Sequence, residues 1–93
     1  MTTMTSVVAA AADKVCSLVD SNKSRTFYDI PDDTLWFHDD INVGAILLFY
    51  RDVCNAVSKA PSMYKITDYE LEPLGNHRYR MWFDLRPSRL TDL

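Results

Sequence analysis

Residues 41–60 read INVGAILLFYRDVCNAVSKA, and their apolar side chains recur every three or four positions. This spacing is typical of an amphipathic α-helix with one apolar face. The predicted face comprises Val43, Ile46, Leu47, Tyr50, Val53, Cys54 and Val57. The flanking residues Ala45, Leu48 and Phe49 widen the apolar surface in the first half. The stretch therefore predicts a central helix whose first half is covered on more than one side.

The two ends of this central helix also carry sequence signals. Asp39 and Asp40 precede it, where carboxylates can accept hydrogen bonds from free amides and meet the positive end of the helix dipole. Pro61 disfavours a helical conformation at Ala60 and so marks the C-terminal end. The other elements are expected to pack around this helix.

A second helix is predicted near the N-terminus, capped by Thr5 or Ser6 and ending near Ser21. Its small alanines would allow a close approach to the central helix. The residues expected to be buried share helical spacing and are Val8, Ala11, Ala12, Val15, Leu18 and Val19. Residues 1–5 and 88–93 are expected to be flexible ends.

A short first β-hairpin is predicted before the central helix. Segments 26–30 and 34–38 are rich in aromatic and β-branched residues, and Pro31-Asp32-Asp33 between them is typical of a turn. A proline followed by acids also suits a helix start. An irregular segment with one helical turn beginning at Pro31 is therefore the alternative.

A second hairpin is predicted after the central helix, from residues 64–72 and 77–85. Its turn would be a type I turn at Pro73 and Leu74, followed by Gly75 in the left-handed conformation. This turn sets Glu72 opposite Asn76 and fixes the rest of the register.

The predicted register divides the second hairpin into a charged face and an apolar face. The charged face would hold the pairs Glu70–Arg78 and Asp68–Arg80. The apolar face would hold the pairs Tyr69–Tyr79, Leu71–His77 and Thr67–Met81, continued by Phe83 and Leu85. Near the open end of the charged face, Tyr64, Ile66 and Trp82 are expected to lie together.

These elements predict an α+β fold with the order α-(ββ)-α-ββ. Two helices would pack on one face of a small antiparallel sheet, because only one face of the second hairpin is apolar. The chain has 93 residues, of which 47% are hydrophobic and 25% are charged. Residues 1–93 are therefore expected to form a single compact domain.

Cysteine content and apolar runs indicate the cellular compartment. Cys16 and Cys54 each fall in a predicted helix, where two reduced thiols are expected and a disulfide between the helices is the alternative. The alanine-rich residues 7–12 lack the basic leader and the long apolar core of a signal peptide. No apolar run of the sequence reaches transmembrane length. These features predict a cytoplasmic protein without membrane attachment.

An acidic cluster before the central helix is the most metal-like feature of the sequence. Its members are Asp29, Asp32, Asp33, Asp39 and Asp40, with His38 among them. Carboxylates are ligands that Mg²⁺ and Ca²⁺ prefer, so a carboxylate metal site is the third functional hypothesis. Turn and helix-capping roles explain the same residues without a metal, and no metal is expected. Since the sequence has neither a Gly-rich loop nor a nucleophile motif, no enzymatic activity and no cofactor are expected.

Arginines in the C-terminal region support a second hypothesis, nucleic-acid binding. These arginines are Arg78, Arg80, Arg86 and Arg89, and Tyr79 and Trp82 are interleaved with them. Such a pattern can bind nucleic acid through phosphate contacts and base stacking. The formal net charge of −3 argues against this function, because phosphates repel an acidic chain.

Aromatic residues support the leading hypothesis, protein binding. The chain holds two Trp, five Tyr and four Phe, more than a small core beside a partly charged sheet can bury. The candidate partner-binding residues are Tyr64, Ile66, Trp82, Trp36 and Phe37. Because Tyr and Trp anchor protein interfaces, the sequence predicts a small non-enzymatic protein-binding module that also forms a homo-oligomer. A short acidic chain of this kind is typical of accessory or inhibitor proteins, including those of viruses and phages, which cover a surface of a larger macromolecule.

Overall fold

The structure, a computed structural model, describes residues 3–19, 23–31, 43–76 and 78–87. In chain order its elements are α1 (Met4–Cys16), β1 (Arg25–Asp29), α2 (Val43–Lys59), β2 (Tyr64–Gly75) and β3 (Arg78–Pro87). Two helices and three strands therefore make up the described part of the chain, and the predicted α+β class is confirmed. The strand predicted at 26–30 is β1, whereas its predicted partner at 34–38 lies outside the described residues.

The three strands form one antiparallel sheet in the order β1-β3-β2. β3 is the central strand, with Phe27 of β1 opposite Trp82 on one side and Leu71 of β2 opposite Met81 on the other. Its position explains why its alternate residues, Met81, Phe83 and Leu85, are buried. A central strand has neighbours on both sides and one face covered by helices.

Both helices contribute to a single core with one face of the sheet. Val7, Ala11 and Val15 of α1 are at most 1% exposed, and Phe49 and Val53 of α2 are fully buried. The sheet contributes a further set of buried side chains, Tyr64, Met81, Phe83 and Leu85. The two helices thus form one layer on the sheet, as the sequence predicts.

The first helix begins earlier and ends earlier than predicted. Thr3 is its N-cap, because the Thr3 hydroxyl accepts a hydrogen bond of 3.2 Å from the amide of Ser6. The helix ends at Cys16, and Val19 beyond it is 77% exposed. The buried face follows Val7, Ala11 and Val15, which are four residues apart, whereas the predicted Val8 is only partly buried against the core.

The central helix is confirmed as α2, but its buried face is narrower than predicted. Ile46, Phe49, Val53 and Val57 are buried, whereas the adjacent Leu47 and Leu48 are 50% and 45% exposed. Successive helical residues are rotated by about 100°, so the two leucines point away from the face that contacts α1 and the sheet. The expectation that these leucines are covered was wrong.

The second hairpin has a different register from the predicted one. Glu72 lies opposite Arg80 and Glu70 lies opposite Trp82, so the pairs Glu70–Arg78 and Asp68–Arg80 were wrong. The reason is that β2 continues through Pro73 and Leu74, and the turn comes later. Gly75 has a φ of +86°, as predicted, but Asn76 is also left-handed, at +54°. Asn tolerates this conformation better than most residues, and the later turn adds further strand pairs to the ladder.

Candidate functional site

The face of the sheet opposite the helices is the candidate site, and we call it the outer face. Strand alternation assigns its members, because neighbouring residues of a strand point to opposite faces and the intervening ones are buried in the core or packed against it. The outer face comprises Arg25, Phe27 and Asp29 of β1, Arg78, Arg80, Trp82, Asp84 and Arg86 of β3, and Lys65, Asp68, Glu70 and Glu72 of β2.

Two aromatic rings lie at the centre of the outer face. Phe27 and Trp82 are opposite each other in the register, with ring centroids 5.2 Å apart and planes tilted by 57°. Both side chains are half-buried. This offset, tilted arrangement is one that aromatic pairs favour. The pair therefore gives the outer face a fixed apolar centre.

Three cations lie against these rings. The guanidinium of Arg25 is 4.7 Å from the Trp82 ring centroid, and that of Arg80 is 4.1 Å from the Phe27 centroid. The ammonium of Lys14, from α1, is 4.2 Å from the Phe27 centroid. These distances allow cation–π attraction, which also restricts the cations to positions beside the rings.

The same arginines form ion pairs with carboxylates of the outer face. Arg25 donates to Asp84 over 3.1 Å and lies 3.5 Å from a carboxylate oxygen of Glu70. Arg80 donates to both carboxylate oxygens of Asp29, over 2.7 and 3.4 Å. The hydrogen bond from Arg80 lowers the pKa of Asp29 below its usual value. Each arginine therefore contacts an aromatic ring and a carboxylate at the same time: Arg25 of β1 contacts the Trp82 ring and Asp84 on β3, and Arg80 of β3 contacts the Phe27 ring and Asp29 on β1.

Trp82 is also oriented by a carboxylate. Its indole Nε1 donates a hydrogen bond of 2.8 Å to Glu72. With Phe27 at its edge, Arg25 over its face and Glu72 at its only donor, Trp82 has a defined orientation. The outer face is therefore an ordered surface with an aromatic centre and a charged surround.

The structure separates the residues that the sequence analysis grouped at the open end of the hairpin. Tyr64 is 2% exposed and lies in the core, where its hydroxyl accepts a hydrogen bond of 3.0 Å from the Lys23 amide. Ile66 is half-buried against the same core. Trp82 lies on the opposite face, so the expected grouping with Tyr64 and Ile66 was wrong. The cause is a register shift between Ile66 and Asp68, which reverses the face that alternate residues occupy.

The other predicted partner-binding residues, Trp36 and Phe37, lie outside the described residues. Sequence reasoning missed Phe27 as the ring next to Trp82. It recognised a strand there but did not pair that strand with β3, and the partner that it predicted, residues 34–38, lies outside the described residues. A charge pattern could have found Phe27. Arg25 and Asp29 on β1 have the same spacing as Asp84 and Arg80 on β3, so one antiparallel register pairs both opposite charges and sets Phe27 opposite Trp82.

The residues of the nucleic-acid hypothesis do not form one continuous basic surface. Arg80 is paired with Asp29 rather than with the predicted Asp68. Arg78 and Arg86 are exposed, near opposite ends of β3, and Arg89 lies outside the described residues. Along β3, Asp84 lies between Arg80 and Arg86 on the same face, which weakens attraction for a phosphate chain.

The metal hypothesis has little support in the described residues. Within 3–19, 23–31, 43–76 and 78–87, no three His, Cys, Asp or Glu side chains come close enough to hold a metal ion. Asp29 is bound to Arg80, and the other members of the acidic cluster, Asp32, Asp33, His38, Asp39 and Asp40, lie outside that part.

Cys16 and Cys54 are free thiols. Burial raises the pKa of the Cys54 thiol, although a hydrogen bond with Tyr50 acts in the opposite direction. A raised thiol pKa reduces the thiolate fraction and hence the reactivity. Cys54 is therefore a structural residue of the helix layer. Of the helices described, none is both long and apolar enough to span a membrane.

Comparison with known proteins gives no relative from which a role could be transferred. No protein-family model, no curated protein and no solved structure matches this chain. The function must be inferred from the outer face and its chemistry.

Proposed function

We propose that this chain is a small non-enzymatic protein-binding module whose outer face covers a surface of a larger macromolecule. The observation that supports this most is the half-buried Phe27–Trp82 pair, at 5.2 Å, with the guanidinium groups of Arg25 and Arg80 against it. Trp and Arg are the residues that most often dominate the binding energy of protein interfaces. An apolar centre inside a polar rim is the usual anatomy of such an interface.

The order of this surface favours binding further. Immobilising a side chain on binding costs roughly 0.5 to 1.5 kcal/mol, and long side chains such as Arg contribute most to this cost. Here the ion pairs of Arg25 with Asp84 and of Arg80 with Asp29 already restrict both guanidinium groups in the unbound chain. A partner would therefore meet groups that are largely in place.

The charges of the outer face favour a protein partner over a nucleic acid. Its acids are Asp29, Asp68, Glu70, Glu72 and Asp84, and they alternate with its cations, which are Arg25, Lys65, Arg78, Arg80 and Arg86. This mixture of charges lacks the continuous basic surface that a phosphate backbone requires. The exposed acids on β2, above all Glu70, with a side chain 68% exposed, would instead attract basic side chains at the rim of a protein interface.

Such a module would cover its partner's surface in the cytoplasm. A module of this kind would act by occlusion, which is the mode of accessory and inhibitor proteins such as those of viruses and phages. We place the chain in a reducing compartment, the cytoplasm, because Cys16 and Cys54 are free thiols and disulfides are rare there.

The experiment that tests this proposal is affinity capture with matched variants of the purified chain. Wild type, Trp82→Ala and Glu70→Arg would be immobilised and exposed to lysate of the source organism, with and without nuclease. Leu47→Ala is the control, because Leu47 is also half-exposed but lies on α2, away from the outer face. Circular dichroism would establish that each variant is folded.

The expected result is a specific protein that wild type and Leu47→Ala retain in the presence of nuclease. Trp82→Ala should lose it, and Glu70→Arg, which reverses an exposed rim charge without removing a core group, should retain less of it. Captured material that disappears with nuclease would contradict the proposal and favour the nucleic-acid hypothesis. Retention that is unchanged in both outer-face variants would place the interface elsewhere.

A further inference from the structure

The free edge of β1 presents backbone groups that nothing in the described part of the chain pairs with. The amide of Ile30 donates to Tyr79, and Ser24 accepts from the amide of Leu85, both over 2.9 Å. In an antiparallel ladder, alternate residues direct their backbone groups to the same neighbour. Even-numbered residues of this segment therefore bond to β3. The N–H and C=O groups of Arg25, Phe27 and Asp29 point away from the sheet.

The opposite edge of the sheet, on β2, is protected by contrast. The same alternation directs the backbone of Tyr69, Leu71 and Pro73 outward, since Glu70 and Glu72 pair with β3. The outward amide of Tyr69 is satisfied by Asp68, whose Oδ1 accepts from it over 2.8 Å. Pro73 has no amide hydrogen, and the register shift near residue 67 bends the strand. Prolines, bulges and local caps are the devices that keep an edge from pairing with another chain.

In the described part of the chain the edge of β1 has no proline, bulge or backbone cap, and only Lys14 of α1 reaches past it, to the Phe27 ring. The side chains of the strand are complementary to themselves. Its sequence is Arg-Thr-Phe-Tyr-Asp, with opposite charges at equal distances from the central Phe27. Two copies paired antiparallel and centred on Phe27 would set Arg25 of each opposite Asp29 of the other. Opposite charges directly across an antiparallel pair are stabilising, and like charges are destabilising.

We infer that β1 pairs with β1 of a second copy of this chain, so that two sheets join into one across a two-fold axis. Phe27 of each copy lies opposite Phe27 of the other, and the outward groups of Arg25, Phe27 and Asp29 form about six backbone hydrogen bonds between the chains. An interface in which the same patch meets itself is the commonest kind in homodimers.

Charge selects this arrangement from the alternatives. Parallel pairing in register would set Arg25 against Arg25 and Asp29 against Asp29. Antiparallel pairing displaced by two residues would set Arg25 or Asp29 opposite Phe27. Only the arrangement centred on Phe27 sets every Arg25 opposite an Asp29. Within each copy Arg25 is already paired with Asp84, and Asp29 with Arg80, so the new contacts would join these ion pairs into one network. In each copy Lys14 reaches past this edge to the Phe27 ring, at 4.2 Å, so its side chain would turn aside when the two strands pair.

This inference does not rest on the proposed function, because the hydrogen bonds between the copies come from the backbone edge of β1, although the side chains of Arg25, Phe27 and Asp29 also belong to the outer face. The two are compatible, since Trp82 lies on β3, one strand away from the joined edge. A dimer would then present two outer faces side by side on a continuous sheet. Such a module would bind a repetitive or two-fold symmetric partner more tightly than a single copy does.

The test uses charge reversal and recombination of the full chain. Arg25→Asp places acids at both charged positions of β1, and Asp29→Arg places bases at both. Each variant alone should dimerise at least about tenfold more weakly than wild type, because like charges then lie across the interface. An equimolar mixture should dimerise as wild type does, since the acidic edge of one variant meets the basic edge of the other. Sedimentation velocity over a concentration series measures all four samples.

Hydrogen exchange supplies a measurement of the backbone contacts themselves. At concentrations where wild type is dimeric, the amides of Arg25, Phe27 and Asp29 should exchange slowly, and dilution should accelerate them. Circular dichroism and thermal unfolding establish that both charge variants are folded. If both variants fail to fold, the concentration dependence of amide exchange in wild type still shows whether the β1 edges pair.

Several outcomes would overturn the inference. A wild-type chain that remains monomeric at millimolar concentration would overturn it. Slow exchange of the three β1 amides in that monomer would mean that another part of the same chain covers the edge. A dimer that both charge reversals leave intact would also overturn the inference. If Trp82→Ala dissociates such a dimer, the outer face is the surface that associates.

Discussion

Trp82 and Glu72 are joined by a hydrogen bond of 2.8 Å that runs diagonally across two strands of the sheet. The register sets Trp82 opposite Glu70 and Glu72 opposite Arg80, so the indole reaches past its direct neighbour to the next carboxylate on β2. A change of register by two residues would separate these groups. The bond thus links the pairing of β2 with β3 to the orientation of the ring at the centre of the outer face.

Removing the acceptor of this bond should destabilise the chain. We expect Glu72→Ala to lower the free energy of unfolding by about 1 kcal/mol, because the half-buried indole loses its partner. Glu72→Gln retains an acceptor oxygen and should cost less. Glu70→Ala is the matched control, since it removes an exposed ion pair from the same strand face and should cost no more than about 0.5 kcal/mol. Urea unfolding measures all three, and equal losses for the two alanine variants would contradict this role of Glu72.

The helices and the fold class could be predicted from the sequence because helical periodicity is a local property. The apolar spacing of residues 41–60 recurs over several turns, so it identifies α2 whatever the rest of the chain does. The same pattern could not decide between Leu47 and Phe49 as core residues. That choice depends on how α2 is rotated against α1 and the sheet, which is a property of the packed molecule.

The candidate site could be predicted only in part because it depends on register. The sequence predicts Trp82 as a candidate binding residue, but it wrongly assigns Tyr64 and Ile66 to the same face. One extra residue near position 67 reverses the alternation, and no side-chain pattern in β2 marks it. Phe27 and Trp82 are 55 positions apart in the chain, and their contact follows from the pairing of β1 with β3. Such long-range pairing was not visible in the local pattern that identified each strand.

The rotation of α2 can be tested with two adjacent residues. Ile46 is 4% exposed and Leu47 is 50% exposed. We expect Ile46→Ala to cost about 2 to 5 kcal/mol of unfolding free energy, because it leaves a cavity in the core. Leu47→Ala should cost no more than about 0.5 kcal/mol, as is usual at the surface. Chemical denaturation of both variants measures the difference, and a similar loss for the two would mean that the helix is rotated differently.

The ion pair between Asp29 and Arg80 should appear in the pH dependence of stability. The pKa of Asp29 is lowered in the folded chain, chiefly by the hydrogen bond from Arg80. A lowered folded-state pKa means that the pair stabilises the fold above the unfolded-state pKa of Asp, about 3.9. This contribution is lost as pH falls from that value through the folded-state pKa.

Carboxyl chemical shifts recorded by NMR between pH 2 and 7 measure this effect directly. Asp29 should titrate below 3.8, and in Arg80→Ala its pKa should move back toward that ordinary value. Arg25→Ala is the matched control, because Arg25 lies on the same face but pairs with Asp84 and Glu70, and it should leave the pKa of Asp29 lowered. An Asp29 pKa that is the same with and without Arg80 would exclude the proposed cause.

The turn of the second hairpin makes the most direct test of the observed register. Gly75 has a φ of +86°, and a Cβ built there meets nothing within 4 Å, so any cost of substitution comes from the backbone conformation. We expect Gly75→Ala to lose about 1 kcal/mol, or roughly 4 to 8 °C in thermal midpoint for a domain of this size. Gly75→Asn should lose less, because Asn tolerates a left-handed conformation, and Asn76→Gly should be neutral or stabilising for the same reason. In the originally predicted turn only position 75 would be left-handed, so a clear loss of stability in Asn76→Gly would contradict the observed turn.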